Sequence, residues 1–129
     1  MQRDVIMKEL LRDYGWSRES LAVWCRAGHK CEYCGVSLLD SSDDYLYGSH
    51  IDHIIPGGGK YVDNLALACK TCNFIKSDKN FQDPESPLRR ENLIAKAKVY
   101  ISKRRELNEQ RLSRVRQLLA SLEHGSVDG

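Results

Sequence analysis

Residues 48–73 read GSHIDHIIPGGGKYVDNLALACKTCN and gather Asp52, two histidines, two asparagines and two cysteines around a triple glycine. From Tyr47 to Ile55 the β-branched and aromatic content predicts a strand, and Pro56 with Gly57, Gly58 and Gly59 ends it. A wide flexible loop follows, then NLALAC as a short second strand. KTCNFIKSDKN opens a helix whose first turn carries Cys72 and Asn73. Strand, loop, strand, helix is an α+β unit, and it sets the fold class expected for the chain.

The cysteines decide how so small a unit is held. Of five, four form two pairs, Cys31-Glu-Tyr-Cys34 and Cys69-Lys-Thr-Cys72. In a reducing compartment such pairs read as tetrahedral zinc ligands before disulfides. The 34 residues between the pairs exceed the usual finger spacing of about 15 to 20, so a folded insert lies between the halves of the site. Four thiolates leave no coordination position for water, which makes this Zn²⁺ structural. In HKCEYCGVS, Gly35 supplies the tight turn of a zinc knuckle. Cys25, within SLAVWCRAG, reads as a buried structural thiol rather than a fifth ligand.

Outward from this core, residues 1–28 carry two short helices expected to pack on it. Val5, Ile6, Leu10 and Tyr14 share one face of the first, which Gly15 stops. Ser17 caps the second, over about 18–27, and Gly28 closes it. The core runs over 29–80, with LLDSSDDYLYGS inside it as a surface loop. FQDPESP, at 81–87, is a linker. Residues 88–123 are strong helix formers, and 124–129 are a flexible tail. Leu93, Ala97 and Tyr100 begin one apolar stripe and Leu112, Val115, Leu119 and Leu122 form another, with Arg104, Arg105, Asn108 and Arg111 between them. One long helix or two with a bend near 104–111 both satisfy this pattern. The last stripe suits packing on the body or a homodimer through the C-terminal helix.

A chain of 129 residues with 41% hydrophobic and 29% charged content suits one soluble domain plus an appendage. No apolar run approaches the roughly 18 residues that span a bilayer. MQRDVIMKELLRDYG lacks the uncharged core of a secretory signal, so a cytoplasmic location is expected. The formal net charge of +2 hides an asymmetry. Residues 88–117 hold ten Lys and Arg against three acids, whereas residues 1–87 hold ten against thirteen. Such an arm suits a polyanion whose counterions it displaces, and equally suits a solvated helix face.

HIDHIIP, DNLALAC and KTCNFIK together resemble the HNH endonucleases of the ββα-metal fold, in their four-cysteine zinc-bound variety, over about residues 29–79. The resemblance implies a metal-dependent DNA endonuclease leaving 5′-phosphate and 3′-hydroxyl ends. It implies His53 as general base, Asp52 as a metal-binding carboxylate, Asn64 as the central asparagine and Asn73 at the last motif position, where many members carry histidine. An amide oxygen there favours a hard ion, Mg²⁺ or Mn²⁺. Lys76, one turn beyond Asn73, is implied as a phosphate contact, with Lys60 a weaker candidate beside it.

Physical chemistry asks for the same parts. Phosphodiester hydrolysis needs a deprotonated water in line with the bond and positive charge on the developing oxyanions. A histidine with pKa near 6.5 suits the base at neutral pH, its second ring nitrogen held by a backbone carbonyl of the loop before Asn64. Neighbours in a regular strand point to opposite faces, so Asp52 and His53 meet one phosphate only if the strand bends. His50 shares the side of Asp52, and a packed or surface histidine is expected there. With no base-reading module evident, contacts to DNA are expected to be to its backbone, with low sequence specificity. The opposed class is a non-catalytic, zinc-stapled nucleic-acid-binding module, which accounts for the cysteines and the basic helix but not for Asp52, His53 and Asn73 together.

Overall fold

β2, Leu65–Cys69, is buried at all five positions, as the unbroken apolar run LALAC requires of a strand covered on both faces. β1, Ser49–His53, pairs with it antiparallel, Ser49 opposite Cys69 and His53 opposite Leu65. The ladder continues by one bond at each end, Lys70 N–H to the Gly48 carbonyl at 2.7 Å and Ile54 N–H to the Asn64 carbonyl at 2.8 Å. The other edge of β2 is closed by the first cysteine pair. Glu32 N–H donates to the Leu67 carbonyl at 2.8 Å, and Leu67 N–H donates back to the Glu32 carboxylate at 2.7 Å. An edge that would otherwise offer free backbone groups is thereby satisfied.

The computed structural model describes residues 2–125, so the tail expected at 124–129 lies from residue 126 onward outside the described residues. Before the sheet come α1 (Arg3–Asp13) and α2 (Arg18–Ala27). Ser17 accepts from Ser20 N–H at 3.0 Å, and Gly28 at φ 60° ends α2 in the left-handed region. α2 buries Val23 against β2. α1, expected to cover the core as well, buries no residue, with Val5 and Ile6 53% and 41% exposed. Met7, Leu10 and Leu11 are its half-buried residues.

LLDSSDDYLYGS, expected as a surface loop, contains a further helical turn, α3 (Ser42–Leu46). Ser41 accepts from Asp44 N–H, and Asp43 and Asp44 sit in the first turn, where acidic groups complement the helix dipole. Tyr45 of α3 takes a hydrogen bond from the Trp16 indole at 2.8 Å and packs edge-on to Trp24 of α2.

A single-turn 3₁₀ helix, Val62–Asn64, leads into β2, and α4 (Lys70–Lys76) leaves it directly. The Cys69 thiol caps α4 by accepting from Cys72 N–H at 3.3 Å. The segment 81–87 is tied at both ends: Phe81 packs on Tyr100 with ring centroids 5.7 Å apart, and the Gln82 side chain accepts from Leu88 N–H. α5 (Arg90–His124) is one continuous helix of 35 residues. Leu93, Ala97 and Ile101 bury its first turns, and α5 packs on α4. No described helix is long and apolar enough to cross a membrane.

Candidate active site and metal centre

The sulfurs of Cys31, Cys34, Cys69 and Cys72 all lie within 4.8 Å of one another. Each pair forms its own N–H to sulfur bond, Cys34 N–H to Cys31 at 3.4 Å and Cys72 N–H to Cys69 at 3.3 Å, and Gly35 turns at φ 82° to permit the first. Four sulfurs this close cannot all carry charge unaided. The neighbouring thiols of Cys69 and Cys72 hold the Cys31 thiol below its ordinary range, and the neighbouring Cys31 and Cys69 push Cys72 above it. A dication that takes all four as thiolates resolves this conflict. Arg105 of α5 adds a second positive group, its guanidinium 3.3 Å from the Cys72 sulfur and 3.7 Å from Cys69.

The cluster sits at one end of the hairpin, where Ser49 faces Cys69, and His53 stands at the other. From Ser49 to Asp52 is three strand steps, about 10 Å. From Cys69 to Lys76 is seven helical steps, also about 10 Å. α4 therefore runs back beside β1 and delivers its end to Asp52. Cys72 and Lys76 share the buried face of α4 at i and i+4, and Asn73, about 100° round, faces outward. Asp52, His53 and Asn73 line one open cleft of about 860 Å³, with Gly57, Gly59 and Lys60 from the glycine loop. Ile51, Asp52 and His53 all border this cleft, and the chain bends at Ile54 and Ile55, directly after β1 ends.

Asn64 organises the loop that the sequence led us to expect as wide and flexible. Its side chain is buried and accepts from Ile55 N–H at 2.9 Å while donating to the Ile55 and Gly59 carbonyls at 3.1 and 3.0 Å. A side chain at Gly58 would meet the Asn64 amide nitrogen at 3.0 Å, so the loop closes on the amide tightly. The expected carbonyl partner for His53 is absent: among the described residues the His53 ring makes no protein hydrogen bond, and only its carbonyl is used.

Lys76 departs most from expectation. It is wholly buried, with its ammonium 3.1 Å from Asp52 Oδ2 and 3.0 Å from the His53 carbonyl. It neutralises the buried carboxylate and braces the end of β1; it does not extend toward a phosphate. Lys60, exposed on the cleft, is the basic residue that does face outward there. Cys25, expected to be buried, is exposed, because α2 turns Val23 inward and Cys25 lies two residues further round. His50 is half-buried with a shielded Nε2 that finds no partner.

Two residues of the knuckle escaped the sequence reading. Glu32 accepts from both Arg26 and Arg90 at 2.9 Å, tying α2 and α5 to the first cysteine pair. Burial alone would raise its pKa, but these two guanidiniums and the Leu67 amide outweigh burial and leave it below the ordinary value. Tyr33 is 5% exposed and donates to Asp52 Oδ2 at 2.6 Å. Burial first, and the Asp52 charge second, raise its phenol well above the usual value, so it stays a protonated donor. The only signal in sequence was their place between two ligands, where one residue must point each way.

Residues 31–79 match the sequence model of the HNH endonuclease family. The chain is 29% identical over 90 residues to the SPbeta prophage-derived HNH endonuclease candidate YoqL of Bacillus subtilis (strain 168). That alignment covers 64% of this chain and 36% of the relative, so the chain spans little more than a third of the protein it matches. It also aligns with the crystal structure of the Type II-C Cas9 enzyme from Actinomyces naeslundii at 22% identity and a TM-score of 0.45, covering 76% of this chain and 13% of that one. Over the same residues that match the family model, the segment 31–79 combines a two-stranded sheet, a following helix and four clustered cysteines, and in this it is similar to the HNH endonucleases.

Proposed function

We propose that the protein is a metal-dependent endonuclease that hydrolyses DNA phosphodiester bonds. The observation that carries this reading is the meeting of Asp52, His53 and Asn73 on one cleft, held from behind by the cysteine cluster. Zn²⁺ suits the four thiolates and acts structurally. Asp52 and Asn73 suit Mg²⁺ or Mn²⁺, because each brings an oxygen donor to the cleft; neither Asp52 Oδ1 nor the Asn73 amide is used in a hydrogen bond among the described residues. When bound, that cation supplies Lewis-acid stabilisation of the phosphate oxygens and the departing 3′ oxygen.

The chain's own groups do the rest. His53, half-buried on the cleft with its ring uncommitted, takes the proton from the attacking water and leaves a 5′-phosphate and a 3′-hydroxyl. Asn64 keeps the glycine loop shaped around it. Of the ten basic residues in 88–117, Arg90 and Arg105 are spent internally, on Glu32 and on the thiolates. Arg89, Lys96, Lys98, Lys103, Arg104, Arg111, Arg114 and Arg116 are exposed and suit a nucleic-acid backbone. Sequence specificity is accordingly low. The exposed stripe Leu112, Val115, Leu119 and Leu122 suits a second copy of the chain, and two copies would allow both strands to be cut.

The test is cleavage of supercoiled plasmid with Mg²⁺ or Mn²⁺ by the parent protein and by His53→Ala. Loss of the base is expected to slow nicking by about 10²- to 10⁴-fold with the thermal midpoint unchanged. A parent protein inert with every divalent ion, yet able to bind DNA, would instead support the non-catalytic zinc-stapled module.

A further inference from the structure

We propose that Tyr33 is the positioning residue that presents Asp52 to a divalent cation through a single oxygen. This rests on the reading above that Asp52 and Asn73 hold the cation. Cys31 and Cys34 are fixed by their shared cluster, so the two residues between them have little freedom: Glu32 turns to the outer edge of β2, and Tyr33 turns in beneath the sheet. The ring is buried, and its hydroxyl reaches Asp52 from a segment 19 residues away.

Two donors then converge on one atom. The Tyr33 hydroxyl and the Lys76 ammonium both address Asp52 Oδ2, at 2.6 and 3.1 Å. Oδ1 takes no hydrogen bond among the described residues, on a residue that is 5% exposed and lines the cleft beside Asn73. A carboxylate fixed by one oxygen cannot rotate freely about its last torsion, so the other oxygen is presented in one direction. Lys76 alone would supply charge without direction, because an ammonium donates from any side. The phenol makes the short, directed bond. A carboxylate prevented from closing on the ion with both oxygens leaves more of the ion's shell to water and phosphate, as hydrolysis requires.

A merely structural Tyr33, anchoring the knuckle to the sheet, predicts a change in stability and no change in cation affinity. The zinc-loaded full chain is titrated with Mn²⁺, free ion being read by its paramagnetic resonance signal, for the parent, Tyr33→Phe and Asp52→Asn, with zinc content and thermal midpoint measured alongside. The expected result is a parent that binds, an Asp52→Asn variant that does not, and a Tyr33→Phe variant that keeps its zinc and binds at least about tenfold more weakly. Parent-like affinity in Tyr33→Phe overturns the proposal and leaves the function intact. Equal Mn²⁺ uptake by the parent and Asp52→Asn, or uptake by neither, overturns the metal reading itself. Should Tyr33→Phe lose zinc, the parent is labelled with 3-fluorotyrosine: one fluorine resonance is expected to move on adding Mg²⁺ and to stay fixed in Asp52→Asn, and no movement in the parent counts against Tyr33.

Discussion

The core at 31–79 and the far half of α5 from about 106 onward are held by different physics. In the core, Ala66, Leu67, Ala68, Cys72 and Lys76 are wholly buried, and the buried charges Asp52 and Lys76 are paired with each other. Beyond Arg105 every described residue is exposed, with Leu112, Val115, Leu119 and Leu122 between 40% and 53% accessible. The far half is helical because the near half already is. Once Leu93, Ala97, Ile101 and Arg105 dock, the costly nucleus exists, and each further residue adds a hydrogen bond at little expense. The core specifies one arrangement; the arm specifies only a direction and a charge.

The largest expected difference between them comes from the thiolates. Stripping zinc with a chelator is expected to remove stability on the order of 10 kcal/mol and unfold the core cooperatively, as hydrogen exchange across β1 and β2 can check. The arm beyond Arg105, unprotected by packing at the start and helical only while its near end is docked, has little protection to lose, so the fall is expected to be far larger in the sheet. Retention of sheet protection after zinc loss would show that packing suffices and erase the contrast.

Next is the buried pair. Lys76→Met leaves the Asp52 carboxylate without its ammonium and is expected to destabilise the fold by about 3–5 kcal/mol in urea titration. Adding Asp52→Asn to it is expected to recover much of that loss, because the uncompensated charge is gone. A core that tolerates Lys76→Met alone would make this contact resemble an arm lysine.

Glu32 sharpens the comparison through pH. Its folded pKa lies below the ordinary glutamate range, so the stability it contributes is fully present above that range and disappears as pH falls through the lowered folded value. Glu32→Gln is expected to cost about 2 kcal/mol at neutral pH and to flatten the acid limb of the stability curve, whereas Glu109→Gln on the exposed arm is expected to change stability at neutral pH by no more than about 0.5 kcal/mol.

The smallest expected effect on stability is from removing the arm's end. A chain stopping at Leu107 is expected to unfold within about 0.5 kcal/mol of the parent. It loses Arg111, Arg114 and Arg116, and the slope of log affinity for duplex DNA against log salt is expected to fall by up to about 3. Sedimentation of the same chain reads the proposed self-association, which should vanish with the stripe.

Much of the module was legible because its signals are local. Paired Cys-x-x-Cys spacing, the proline and glycines after a β-rich run, and an unbroken series of helix formers each constrain a few neighbouring residues. Asn64, implied as the central asparagine and expected to tie the loop before it, spans only the nine residues to Ile55. What was misread depends on distance. Lys76 looks like any exposed lysine until Asp52, 24 residues earlier, meets it in the core. α1 has an acceptable apolar stripe and nothing to place it on. α3 was hidden because Ser and Asp disfavour helix interiors while favouring the first turn, which is nearly all of a five-residue helix.

By itself, then, the chain's order of residues determined the strands, the longer helices and which four sulfurs gather, since thiolate spacing and backbone propensity act over one or two turns. Only the folded arrangement decided that Tyr33 and Lys76 share one oxygen of Asp52, that Glu32 gathers two arginines, and that Arg105 leaves the basic arm to face the thiolates. The physical reason is desolvation: a charged group taken out of water must find its partner, and which partner is within reach is settled when distant segments pack.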